Sequence, residues 1–421
     1  MGFADFYFNK YKAEPALIKE NPANDLQIII TVPCFNEEHT IKALSGLYRC
    51  LPTHKAVEVI ILVNYPENRQ AEFSQKHKKI FEELNKWAIG HNSDKLKFFP
   101  VLKELPQKTA GVGLARKLAM DEALRRFDFL NNPNGIIVGY DADCSCDTNY
   151  LQAIEQLFEK YPKTTGCSIN YEHSIEGDEF SEEIYQAIVQ YELYLRYYIE
   201  ALRSSGFPYT FHTLGSSFAV RADVYAMQGG MNKRKAGEDF YFLHKIIPLG
   251  NFHEINNTKV IPSPRLSDRV PFGTGAAITK IIESGQPVYF TFNPDAFDEI
   301  GKFIKLVPEF FKVSTSQIEE IIANLHPSLL KFIHGNQFQK AIEDANSNSS
   351  NLETFKKRFY TWFNGLMVLQ FLNEAHLSDF TKVSIAQAAE QLLKSRYNLV
   401  GNYSTIQLLE KYRDIQKNST F

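Results

Sequence analysis

Three carboxylate pairs stand where the chain must find a use for concentrated charge. Asp141-Ala142-Asp143 follows the apolar run Gly135 to Tyr140 (GIIVGY). Two carboxylates at i and i+2 beyond a buried strand repel each other unless something positive sits with them. A divalent cation bridging a diphosphate answers this, with hard oxygen ligands from protein and phosphate completing the shell of Mg2+ or Mn2+. The plainer reading is an Asp-rich turn capping the helical run Tyr150 to Phe158. After an apolar strand in an alternating strand–helix layout, the cation reading is the stronger. Glu238-Asp239 opens the helical run Phe240, Leu243, Ile246 and Ile247. A carboxylate there is often only a cap, but one buried beside a diphosphate can deprotonate a hydroxyl as general base. The third pair closes Pro33-Cys34-Phe35-Asn36-Glu37-Glu38 at the start of a helix. The macrodipole alone accounts for it; the functional reading has Phe35 and Glu37 facing a base or sugar.

Positive partners are also present. Gly111-Val112-Gly113-Leu114-Ala115-Arg116 opens a helix but is no dinucleotide fingerprint, because its third position falls on Arg116 and it follows a loop. A nicotinamide site is therefore rejected, and Arg116 is placed either to reach a phosphate or to hold the Asp pair. Five cysteines, at 34, 50, 144, 146 and 167, are odd in number and absent from the last 254 residues, which argues against a disulfide framework. Cys144-Ser145-Cys146 has no second Cys/His pair at zinc spacing.

These residues need a scaffold that brings loop ends together. Leu26 to Val32, Val57 to Val63, Leu96 to Leu102 and Gly135 to Tyr140 read as strands. Glu38 to Leu51, Phe73 to Ala88 and Gly113 to Phe127 read as helices between them. That alternation indicates an α/β layer with a mainly parallel sheet, whose ligands bind beyond the carboxyl ends of the strands. Phe218 to Val220 and Thr258 to Ile261 read as further strands, and Glu182 to Arg203 as a long helix rich in tyrosine. Those tyrosines either stack on an acceptor sugar or form core. Residues 291–421 hold only 4 of the 22 glycines and 3 of the 18 prolines. They read as helices over Phe310 to Leu325, Leu329 to Ala345, Phe355 to Leu372 and Ile385 to Lys394. The expected division is an extension over 1–25, the α/β domain over 26–290 and a helical accessory region over 291–421.

The order Pro-Cys-Phe-Asn-Glu-Glu, Gly-x-x-x-Ala-Arg, Asp-Ala-Asp, Gly229-Gly230-Met231 and Gly237-Glu238-Asp239 resembles the GT-A glycosyltransferases, chiefly family 2, over about residues 26–270. The resemblance implies a Rossmann-like GT-A sheet and transfer of a hexose from a nucleotide diphosphate sugar to a hydroxyl acceptor, dependent on Mn2+ or Mg2+. It implies that Pro33, Phe35 and Glu37 contact the donor nucleoside, that Asp141 binds ribose or diphosphate, and that Asp143 binds the metal. Asp239 becomes the base of an inverting enzyme, with Glu238 beside it. Two departures stand out. Where members usually carry an Asp after the second strand to read the base, this chain has Asn64-Tyr65-Pro66-Glu67, and Asn64 is left to bond a base through its amide. Where some members have a metal-binding His, this chain has Pro262-Ser263-Pro264-Arg265-Leu266-Ser267-Asp268-Arg269. There Arg265 and Arg269 are suited to neutralise the leaving diphosphate. Val270 to Gly275 forms a glycine loop, read either as a closing flap or as a turn.

Composition narrows the alternatives. The 46 basic against 49 acidic residues give a net charge of −3, so no general field draws nucleic acid. No apolar run approaches the ~18 residues of a spanning helix, and the N-terminus does not read as a signal peptide; the expectation is a cytoplasmic protein. The aromatic cluster Phe3, Phe6, Tyr7, Phe8 and Tyr11 either packs on the body or marks an oligomer contact. Two rival functions share the fold. One is a catalytically silent nucleotide-sugar-binding or interaction protein. The other is a sugar nucleotidyltransferase, which lacks its usual glycine-rich loop here.

Overall fold

The computed structural model describes residues 2–37, 39–68, 71–267, 273–285 and 288–418. Eight strands make one sheet: β1 (Leu26–Cys34), β2 (Ala56–Pro66), β3 (Leu96–Leu105), β4 (Ile136–Gly139), β5 (Ser145–Cys146), β6 (Gly166–Tyr171), β7 (Phe218–Arg221) and β8 (Phe252–Ile261). Their order is β3-β2-β1-β4-β7-β6-β8-β5. The β3-β2-β1-β4 half is parallel throughout. β1 and β2 are central, so Ile28, Ile29, Ile30, Val32 and Val59 to Val63 are buried on both faces and read as unbroken apolar runs.

The other half is mixed. β7 runs antiparallel to β4 and β6, β5 runs antiparallel to β8, and β6 is parallel to β8. This is an α/β architecture with flanking helices, as the sequence implied, with a more mixed sheet than a mainly parallel one. Hydrophobicity marks Phe218–Arg221 as buried but says nothing of its direction. β6 (GCSINY) escaped the sequence reading because it is short and carries Ser168 and Asn170 among its apolar residues. β8 begins at Phe252, so His253 lies within the strand rather than before it, and its ring stacks on Tyr161 at 4.8 Å.

Eight helices follow in the same part of the chain: α1 (Asp5–Tyr11), α2 (Thr40–Tyr48), α3 (Ala71–His91), α4 (Val112–Phe129), α5 (Tyr150–Lys160), α6 (Glu182–Ser205), α7 (Ala222–Met227) and α8 (Glu238–Ile246). Glu38, with which the sequence reading opened α2, lies outside the described residues. α4 is unusual because Arg116, Lys117, Asp121, Glu122 and Arg126 are all buried. Each has a partner. Tyr7 of α1 donates to Asp121 at 2.6 Å, Lys117 donates to the Tyr7 hydroxyl at 2.6 Å, and Tyr225 of α7 donates to Asp121 at 2.7 Å. Glu122 accepts from the backbone of Leu17 and Ile18. Arg126 forms a two-bond pair with Glu58 of β2, Nη2 to Oε1 at 2.8 Å. The N-terminal segment thus packs on the body through Tyr7, while Phe6 stays largely exposed.

The chain divides into two compact units. One comprises Met1–Tyr185, His212–Thr279 and Gln416–Phe421; the other comprises Gln186–Phe211 and Lys280–Ile415. Residues 186–211, which the sequence reading kept with the α/β domain, fall in the second unit. There Glu192 of α6 is fully buried and takes bonds from Arg196 and Arg413, each nearest contact 2.8 Å. Tyr197 of this helix is core and donates to the Phe292 carbonyl at 2.8 Å, and the half-buried Tyr194 and Tyr198 pack on Tyr289, Phe292 and Phe297. Three runs expected as single helices are interrupted. Residues 311–314 break the first before Thr315–Ile322. Gln337, at φ 61°, separates Pro327–Gly335 from Phe338–Ser347. Asn364 caps Gly365–Ser378 after Leu352–Trp362 ends, accepting from the amides of Leu366 and Met367. Apolar periodicity carries across such breaks, which turn on single polar residues.

Arg126→Met should destabilise the protein by about 3–5 kcal/mol, because it leaves the Glu58 charge buried and alone. Urea unfolding measures this. The double variant Glu58→Leu/Arg126→Met should recover most of the loss; a double variant no better than the single one would contradict this reading.

Candidate active site

The site is built from short stretches beyond the strand ends. Glu37 follows β1, Asp141 and Asp143 follow β4, Arg116 is the fifth residue of α4, Gly215 precedes β7, Glu238 and Asp239 open α8, and Arg265 follows β8.

Arg116 organises one side. Its Nη2 donates to Asp141 Oδ1 at 2.9 Å, its Nε to Glu238 Oε1 at 3.3 Å, and its Nη1 to the Gly215 carbonyl at 2.5 Å. The side chain is 2% exposed. Burial works against its charge, but Asp141, Glu238 and Asp239 outweigh burial and raise its pKa above the ordinary arginine value. A Cβ on Gly215 would stand 2.5 Å from Arg116 Nη2 and 3.2 Å from Asp239 Oδ2, so only glycine lets the loop and the guanidinium meet. Gly237, at φ 68°, supplies the left-handed turn that starts α8. Glu238 makes no cap bond at that end of the helix, and its carboxylate belongs to Arg116.

Asp239 is half-buried, and its Oδ1 accepts from the Phe240 amide at 2.7 Å. Burial, and then the neighbouring Glu238, push its pKa up to about 7, against the pull of Arg116. A carboxyl so placed exchanges a proton near neutral pH, which is what a general base requires.

The other side centres on Arg265. Its Nε lies 2.6 Å from Asp143 Oδ2 and its Nη2 lies 2.8 Å from Glu37 Oε2. Burial raises the Asp143 pKa, and Asp141 and Glu37 add to this, while Arg265 opposes it. The donor set suits a hard divalent cation. Among the described residues, the carboxylates of Asp141, Asp143, Glu37, Glu238 and Asp239 outnumber the guanidiniums of Arg116 and Arg265 that pair with them. Mg2+ and Mn2+ sites commonly take one or two protein carboxylates and let phosphate complete the shell. Asp143 and Asp141 would hold such an ion. A separate group, His54, Glu155 and Glu159, has ligand atoms within 4.8 Å of one another. There Glu155 is already committed to the backbone amides of His54 and Lys55 and to the His54 ring.

The remaining expected residues divide. Phe35 lies at the site's edge, in ring contact with Phe73 and His77 at 5.9 and 5.6 Å. Pro33 is half-buried in β1. Asn64 is buried, and its Nδ2 donates to the carbonyls of Cys34 in β1 and Leu62 in β2 at 3.0 and 3.3 Å. Arg269, Asp268 and residues 270–272 of the glycine loop lie outside the described residues. Gly229-Gly230-Met231 is a turn; Gly230, at φ 66°, passes so close to Tyr7 that a Cβ would meet its hydroxyl at 2.2 Å. The sequence reading missed His77. It is fully buried, its Nε2 accepts from the Asn36 amide at 3.1 Å, and its Nδ1 donates to the Phe73 carbonyl at 2.8 Å. This holds Asn36 at φ 49° directly before Glu37. A lone histidine in a helical run carries no signal of that role.

No known family profile and no curated protein matches the chain. Among solved structures it is similar to S. aureus TarS 1–349, at 13% identity over 93% of this chain and 90% of that one, TM-score 0.34. The same fragment in complex with UDP-GlcNAc matches at 12% identity over 93% and 91%, TM-score 0.38. Mannosyltransferase PcManGT from Pyrobaculum calidifontis, in complex with GDP-Man and Mn2+, matches at 12% identity over 98% and 93%, TM-score 0.33. At such distances the chemistry must be read from the site itself. No helix among the described residues is long and apolar enough to cross a membrane.

Since the folded protein holds the Asp239 proton up to about pH 7 while the unfolded chain releases it near the ordinary carboxylate value of 3.8, this group makes stability fall as pH rises between those values. Asp239→Asn removes that dependence. The variant should melt above the unsubstituted protein at pH 8, and the gap should close towards pH 4. Parallel melting curves across the range would show that Asp239 titrates normally.

Proposed function

We propose that the chain is a metal-dependent glycosyltransferase that moves a hexose from a nucleotide diphosphate sugar to a hydroxyl acceptor. The observation that carries this is the excess of carboxylates over the two arginines beyond β1 and β4, with Asp239 raised to about 7 beside them. A diphosphate with a divalent cation satisfies both kinds of charge at once. Phe35 and Glu37 then flank the nucleoside, Asp141 addresses ribose or diphosphate, and Asp143 holds the cation. When bound, the cation stabilises charge on the leaving diphosphate.

The chain's own groups do the rest. Arg116 fixes Asp141 and Glu238 before the donor arrives, so no reorganisation is needed during transfer. The acceptor oxygen bonds to the anomeric carbon as the bond from that carbon to the diphosphate oxygen breaks. Asp239 takes the acceptor's hydroxyl proton, and the nucleoside diphosphate departs with the bonding pair. This describes inversion; in a retaining enzyme Asp239 would position the acceptor instead. Arg265 and Arg269 are the chain's cations for the leaving group. The α/β domain over 26–290 would carry the reaction and 291–421 would be accessory.

A second reading, nucleotide-sugar binding without turnover, draws on Asn64. Its amide hydrogens go to the carbonyls of Cys34 and Leu62, so only its Oδ1 is left to meet a base.

Thermal-shift assays with UDP, GDP, CDP and dTDP, each with and without Mn2+, test the reading. One nucleotide should raise the melting temperature only with Mn2+, and Asp143→Ala should abolish that shift. With the matching sugar nucleotide, Asp239→Asn should lower kcat by about 10²–10⁴-fold, measured by nucleotide release. Turnover that survives both EDTA and Asp143→Ala would overturn the mechanism, whereas Mn2+-dependent binding without transfer to any hydroxyl acceptor would favour the second reading.

A further inference from the structure

Arg265 occupies an unexpected place for a residue meant to meet a leaving group. Its guanidinium is in direct contact with Asp143, the proposed cation ligand, at 2.6 Å, and with the buried Glu37 at 2.8 Å. Both bonds are charge-assisted and within the range of strong N–H···O⁻ contacts. Arg265 is 27% exposed, whereas Arg116 is 2% exposed and also holds a backbone carbonyl. Two cations therefore serve the same carboxylate cluster in different ways. Arg116 is walled in by Asp141, Glu238 and Gly215, and Arg265 reaches in from the segment after β8.

We propose that Arg265 is a resident cation that competes with the divalent metal for Asp143. This rests on reading Asp143 as a metal ligand. A guanidinium on one oxygen of Asp143 lowers the negative potential that would attract Mn2+ and takes up a coordination position. The metal alone therefore binds weakly. A diphosphate changes the balance because it brings the cation with it and offers Arg265 new anionic oxygens of matching geometry. Metal and donor are then taken up together, and the free protein does not hold a bare ion at a site open to water. Arg265 acts through Asp143, so it is a positioning residue for the metal.

The test is Mn2+ binding without nucleotide, followed by the loss of the free-Mn2+ signal in electron paramagnetic resonance. Arg265→Gln should bind Mn2+ about tenfold more tightly than the unsubstituted protein, because a competing charge has gone. Arg265→Lys, which keeps the charge, should restore weak binding. Asp143→Asn/Arg265→Gln should lose the gain. A merely structural role for Arg265 predicts the opposite sign, since disturbing the segment after β8 would weaken any site there; circular dichroism and melting temperature confirm that each variant is folded. Arg265→Gln binding Mn2+ no more tightly than the unsubstituted protein would overturn the inference. If in that case the nucleotide-dependent Mn2+ shift still vanishes in Asp143→Ala, the metal reading of the site stands and only the competition fails. If no form binds Mn2+ with or without nucleotide, the metal reading itself fails, and this inference with it.

Discussion

The first unit depends on the Arg116 guanidinium. It joins the end of β4 through Asp141, the start of α8 through Glu238, and the loop before β7 through the Gly215 carbonyl. These contacts come from parts of the chain about 25 to 120 residues from Arg116 in sequence. Desolvating a guanidinium is expensive, and the return comes only when its donors are well matched. Three acceptors provide that match here. The glycine at 215 follows as a steric consequence, because the guanidinium already fills the space a side chain would need.

The same logic extends down α4. A helix with five buried ionisable residues is stable only if its neighbours are built around it. β2 contributes Glu58 for Arg126, α1 contributes Tyr7 for Lys117 and Asp121, and the chain near Leu17 contributes amides for Glu122. The N-terminal segment is in this sense part of the α/β body, supplying polar partners that the sheet and its helices lack. It also explains Gly230, which gives Tyr7 room beside the turn after α7. The later turns of the helix hold the fold while Arg116 near its start holds the carboxylates, so the two tasks share one element.

The α/β class was legible because β1 and β2 are buried on both faces and their apolar runs need no partner to be recognised. The carboxylate cluster was legible because Asp141, Asp143, Glu238 and Asp239 follow strands or open helices, where ligands of such sheets bind. What escaped reading depends on contacts distant in sequence. Nothing around Asn64 in the sequence shows that the carbonyls of Cys34 and Leu62 take its amide hydrogens. His77 looked like any helical histidine, yet it sets the turn before Glu37. The tyrosines of α6 looked equally like an acceptor platform or a core, and only their packing on Tyr289, Phe292 and Phe297 decides for the core. Strand direction beyond β4 and the helix breaks at Gln337 and Asn364 were hidden for a related reason: periodicity reports which face is apolar, not which way a strand runs or where a single polar residue turns the chain.

A cluster of five carboxylates could not stay assembled in a folded protein without internal cations, so the site must be partly neutralised before any ligand reaches it. The structure does this unevenly. On the Arg116 side the charge is bound into the scaffold, and burial, with the neighbouring Glu238, holds the Asp239 proton to near neutrality. On the Arg265 side the neutralising charge comes from a partly exposed arginine whose two carboxylates also face the proposed ligand. On the proposed reading, the first arrangement supplies the proton-transfer group, and the second is where one cation is exchanged for another. On the same reading, a second guanidinium as buried as Arg116 would not yield its carboxylate to a metal, and a site without Arg265 would admit the ion before the donor. The difference in exposure between the two guanidiniums is thus the feature through which stability of the empty site and readiness for a charged donor are reconciled.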